Sequence, residues 1–68
     1  MKFEIEHHVL TKCIAESDEI IAVVPDSVTN IGDDAFYNCE FLQEIHLPDS
    51  ITSIGDWAFV NCKSLQEI

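Results

Sequence analysis

Hydrophobic and polar positions in residues 24 to 68 recur as a block rather than at a helical or strand period. Laying residues 24 to 45 (VPDSVTNIGDDAFYNCEFLQEI) over residues 47 to 68 (LPDSITSIGDWAFVNCKSLQEI) gives 15 identities in 22 positions at a constant offset of 23. A period of this size with aliphatic residues at fixed offsets marks a solenoid, in which each unit buries its apolar face only against a neighbour. Equivalent positions in stacked units share one environment, so those that stay apolar in both copies point inward. Val24/Leu47, Val28/Ile51, Ile31/Ile54, Ala35/Ala58, Phe36/Phe59, Cys39/Cys62, Leu42/Leu65 and Ile45/Ile68 are the predicted core ladders. Asp34/Trp57, Tyr37/Val60, Glu40/Lys63 and Phe41/Ser64 change chemical class between copies and are predicted to face solvent.

Within a unit, Ile45-His46-Leu47 alternates inward and outward as a short strand does, and Pro48, like Pro25 before it, begins a corner. The Asp-Ser-Val-Thr and Asp-Ser-Ile-Thr segments carry side chains predicted to bond nearby backbone amides, and Gly32 and Gly55 are read as supplying backbone freedom at a second bend. Asp33 and Asp56 stand where an N-cap would be, which predicts a helical turn of about five to seven residues through Ala-Phe-x-Asn-Cys. Asn38 and Asn61 are predicted to form an amide ladder between units.

Residues 1–19 do not fit the template. Phe3 to Glu6 and Val9 to Ile14 read as two strands about a turn at His7-His8, an N-terminal β-hairpin cap, with the repeat region over residues 20–68 and its units at 24–46 and 47–68. Ile20-Ile21-Ala22-Val23-Val24 is apolar on both faces, whereas Gln43-Glu44-Ile45-His46-Leu47 is polar on one. The cap is therefore expected to cover the first strand of the repeats.

The unit LPDS-[VI]-T-x-IG-x-x-AF-x-NC-x-x-LQEI resembles the BspA-type leucine-rich repeat, closely over residues 20–68, and FEIEHHVLTK looks like the hairpin that precedes such arrays. The resemblance implies an α/β repeat fold: a right-handed leucine-rich-repeat solenoid with short parallel strands along the side bearing Leu42, Ile45 and Leu47, short helical turns, and the N-terminal hairpin cap. It also implies a noncatalytic, adhesion-type protein-interaction module belonging to a larger cell-surface or extracellular protein. Spacer repeats with no ligand of their own are the alternative.

Charge narrows the partners. Thirteen acidic residues against three lysines and no arginine give a formal charge of −10, which repels nucleic acid and anionic membranes. The 68 residues make one small domain, and 47% hydrophobic content argues against a disordered segment. No apolar run approaches the ~18 residues that span a bilayer, and the apolar residues of the opening stretch are too interrupted for a signal peptide.

Cys13, Cys39 and Cys62 are odd in number and lack the close pairs of a disulfide scaffold or zinc site, so they are read as reduced thiols, with Cys39 and Cys62 as small buried hydrophobes. A rung-to-rung Cys39–Cys62 disulfide is the competing reading. His46 is expected to point away from these thiols, and no catalytic residue, cofactor or metal ligand is assigned. The Asp26/Asp49 and Asp33/Asp56 pairs are read as local caps rather than calcium ligands.

Candidate partner-binding residues are Gln43, Glu44, His46, Gln66 and Glu67 on the concave strand side, together with Tyr37, Trp57 and Val60 on the outer turn face; the partner is a protein of unspecified identity. Two full units followed by Leu65-Gln66-Glu67-Ile68 as an unpaired edge lead to the expectation of a homodimer through the C-terminal rung, with Phe59, Leu65 and Ile68 at the contact.

Overall fold

The computed structural model describes residues 1–67. Strands β1 (Lys2–Glu6) and β2 (Val9–Ile14) form an antiparallel hairpin. His7 and His8 join them at φ 51° and 66°, the two left-handed residues that a tight I′-type turn requires. The register slips between Glu4 and Ile5, leaving Thr11 as the extra residue, and its hydroxyl donates to the Glu4 carbonyl at 3.0 Å.

The remaining strands are short: β3 (Ile21–Val23), β4 (Asn30–Ile31), β5 (Glu44–His46) and β6 (Ser53–Ile54). They lie in two ladders, one ordered β1-β2-β4-β6 and one pairing β3 with β5, extended by a parallel bridge from Glu44 to Glu67. Every pair between units is parallel, and Ile21↔Glu44, Asn30↔Ser53 and Ile31↔Ile54 each keep the offset of 23 residues. A strand-rich repeat fold with parallel ladders and the hairpin thus matches expectation. The β4/β6 ladder is additional: the sequence places Ile31 and Ile54 in the core without assigning them to a strand, because two residues are too few to show alternation.

Val28 and Ile51 close the proline corners by donating their amides to Pro25 and Pro48 at 3.1 and 3.2 Å. The corner hydroxyls do not bond nearby amides as expected. Ser50 donates to the Asp26 and Val28 carbonyls at 3.0 and 2.8 Å, and Thr52 to the Thr29 carbonyl at 3.1 Å. The Asp26 and Val28 carbonyls are reached by a hydroxyl of the next unit, whereas the Thr29 carbonyl accepts both the amide, at 2.7 Å, and the hydroxyl of Thr52.

The predicted helical turns are absent: among the described residues there is no helix. The Ala-Phe-x-Asn-Cys segments are chains of turns, broken by positive φ at Asp34, Asn38, Trp57 and Asn61, all between 60° and 63°. Their amides pair across units, with Asp34, Phe36 and Asn38 donating to Asp56, Ala58 and Val60 at 3.1, 2.8 and 3.0 Å. Asp33 accordingly caps no helix; its carboxylate accepts the Asp56 amide at 2.7 Å.

The glycines also differ from expectation, since neither has positive φ. They serve close approach. A Cβ on Gly55 would lie 2.6 Å from the Asp33 amide nitrogen and 2.7 Å from the Gly32 carbonyl carbon, and one on Gly32 would lie 3.0 Å from the Leu10 carbonyl oxygen.

Leu10, Ile31, Phe36, Leu42, Ile45 and Val28 are the largest fully buried side chains. Each first-copy member of the core ladders is buried, while the described second-copy equivalents other than Ala58 are more open. Ile31 is 1% exposed and Ile54 50%, yet the residue type and strand position are the same. Leu47, Ile51, Phe59, Cys62 and Leu65 pack on the core while remaining half-buried. Phe36 and Phe59 stack at a centroid distance of 5.4 Å and an interplanar angle of 18°. Ile68, placed in a core ladder and at the dimer edge by the repeat alignment, lies outside the described residues.

Candidate functional site

Two faces carry the residues singled out from sequence. On the strand face, parallel pairing places Ile21 beside Glu44, itself bridged to Glu67, and Val23 beside His46, while Ala22 and Ile45 point to the core. The period-two alternation of a strand causes this split. The His46 Nε2 lies 3.0 Å from a Glu44 carboxylate oxygen. Gln43 is half-buried and Gln66 exposed.

The cap does not cover β3, contrary to expectation. β2 instead continues the other ladder, pairing with β4 through Val9↔Asn30 and Leu10↔Ile31. Ile21 and Val23 consequently remain 47% and 66% exposed on the strand face. Sequence reasoning missed both as surface residues, although their double-sided apolar strand was the available signal.

On the turn face, Tyr37 and Trp57 are exposed and Val60 half-buried. Trp57 is 70% exposed while held at φ 63°. Its equivalent Asp34 suits that backbone, whereas a bulky aromatic pays a steric penalty there. Asn61 donates its side-chain amide to the Asn38 carbonyl oxygen at 2.9 Å, the expected ladder.

A cleft of about 470 Å³ opens on this face, lined by Thr11, Lys12, Cys13, Asp33, Asp34, Ala35, Tyr37 and Asn38. It has a cause in the register. Leu10 takes the place of Ile31, and Cys13 the place of Phe36, because the Cys13 amide donates to Ala35 as Phe36 donates to Ala58. Three steps along the hairpin therefore match five along each repeat (13 − 10 against 36 − 31), and the two missing residues leave the space.

All three cysteines are free. The Cys39 thiol donates to the Cys13 carbonyl at 3.7 Å and the Cys62 thiol to the Phe36 carbonyl at 3.0 Å. Burial pushes the Cys13 thiol up to about 12, with the neighbouring Cys39 adding to the shift. Cys39 and Cys62 are raised in the same direction by burial. A thiol that resists ionisation is a poor nucleophile and metal ligand. The described residues hold no helix long and apolar enough to cross a membrane.

Parallel ladders at a fixed offset, recurring Leu-x-x-Ile strand units and an Asn-Cys turn define a leucine-rich repeat protein. A family model described as BspA type leucine rich repeat region (6 copies) matches residues 4–68, and the chain belongs to that family. Its members are repeat modules that generally lack catalysis. Neither the curated proteins nor the solved structures gave a match.

Proposed function

We propose that this chain is a noncatalytic protein-interaction module of the adhesion type, a short right-handed solenoid contributing to a larger surface protein, and that its strand face is the contact. The carrying observation is the aliphatic pair Ile21 and Val23, exposed beside Glu44, His46 and Glu67. Nothing in the core requires an isoleucine and a valine there, since polar residues occupy the equivalent positions one unit later. An apolar centre rimmed by charge is the usual composition of a protein contact.

The test is to immobilise the chain and its Ile21→Ser/Val23→Ser variant and compare the surface proteins each retains. The reading expects at least one protein held by the wild type and lost by the variant, with both showing the same thermal transition. Identical retention by both would favour the spacer reading.

A further inference from the structure

The cleft between the hairpin and the first repeat turn lies away from the strand face and makes a claim independent of it. Four observations meet there. The space exists where three steps of the hairpin, Leu10 to Cys13, stand over five steps of the repeat, Ile31 to Phe36. Asp33 spends one carboxylate oxygen on the Asp56 amide, whereas the Asp34 carboxylate makes no ion pair or hydrogen bond among the described residues. The exposed Tyr37 and Asn38 form part of the wall. One unit further on, beside Asp34 through the Asp34–Asp56 backbone bond of 3.1 Å, stands Trp57, exposed and held in a conformation that disfavours it. A Trp that gains little burial and strains the backbone is not explained by folding.

We propose that this cleft binds the guanidinium group of an arginine presented by a basic segment of another protein. A guanidinium is planar, stays charged, donates in a fork that matches a carboxylate, and stacks on aromatic faces. Asp34 supplies the carboxylate and Tyr37 the ring, while Trp57, next to Asp34 across the backbone bond but outside the cleft lining, offers an aromatic surface to the flanking part of the segment. The chain's charge of −10 draws such a segment in, and with no arginine of its own the chain cannot satisfy the site internally. Lys12 also lines the cleft, without an ion pair among the described residues, and acts as a weak internal competitor for Asp34.

The experiment is an amide-resolved NMR titration of the full chain with acetyl-Gly-Arg-Gly-amide, and with its lysine and citrulline counterparts. Saturable shifts are expected at Lys12, Asp34, Tyr37, Asn38 and the Trp57 indole, with the citrulline peptide about tenfold or more weaker. Asp34→Asn, which suits positive φ and so keeps the fold, lowers arginine affinity by about tenfold. Lys12→Gln raises it. The proposal is overturned if the citrulline or lysine peptide binds as well as arginine, if the shifts scatter over the acidic surface, if Asp34→Asn changes nothing, or if Lys12→Gln abolishes binding.

Discussion

Four side chains in the turns sit at positive φ, and they are not equally suited to it. Asn38, Asn61 and Asp34 are of the residue types that enter the left-handed region most readily, while Trp57 is a bulky aromatic that does not. Trp57→Asn is therefore expected to raise unfolding free energy, by up to about 1 kcal/mol, in urea denaturation followed by far-UV circular dichroism. Gly55 behaves in the opposite way. Its missing Cβ is required by the neighbouring Gly32–Asp33 backbone, which cannot move aside as a flexible side chain could. Gly55→Ala should cost about 1–3 kcal/mol in the same measurement, although the φ of Gly55 would accept alanine.

The hairpin is a truncated repeat as well as a cap. β2 joins the β4/β6 ladder, Leu10 occupies the Ile31 position, and Phe3, paired with Cys13, packs on the core. Leu10 is fully buried and Ile54, in the same ladder at the other side of the stack, is half open. Leu10→Ala is expected to destabilise by about 2–5 kcal/mol and Ile54→Ala by clearly less, compared through their urea midpoints. Cys13 lies in β2, and Cys39 and Cys62 lie in the turn segments. Because burial raises Cys13 from an ordinary 9.0 to about 12, the folded state holds that proton more tightly than the unfolded chain. The resulting stability is fully present below pH 9 and is lost as pH climbs towards 12. Thermal melts across that range should show a falling midpoint, and Ellman's reagent should react with Cys13 and Cys39 only after unfolding and sooner with the half-buried Cys62.

At the scale of the molecule, exposure rises from the first copy to the second. Ile54, Phe59 and Leu65 present the surface that Ile31, Phe36 and Leu42 bury against a following unit. Covering each large side chain gains about 1.5–3 kcal/mol, opposed by a charge of −10 per chain whose repulsion is screened beyond about 8 Å at physiological salt. Association of two such faces about a two-fold axis is the expected outcome, strengthened by salt and read by sedimentation equilibrium across ionic strengths. A monomer at millimolar concentration in high salt would contradict it. A third copy of the repeat, appended with a polar final unit, should abolish the association and raise the melting temperature.

Repetition was the part of the structure legible without coordinates. The offset of 23, the inward ladders, the hairpin about His7-His8 and the Asn38–Asn61 pair all follow from the sequence, because stacked equivalents must share an environment and a local turn needs only local residues. What the sequence left open depends on how close the units lie and in what register. The Ala-Phe-x-Asn-Cys segments have the composition of a helical turn, yet their amides find better partners one unit away, so they fold as linked turns. Gly55 looks like a hinge until the backbone beneath it is seen. Whether β2 covers β3 or extends β4 is a choice between two partners for one strand, made by the fit of Leu10 into the Ile31 column. That choice exposes Ile21 and Val23 and opens the cleft at Asp34, so both candidate binding surfaces are products of tertiary register rather than of any local pattern.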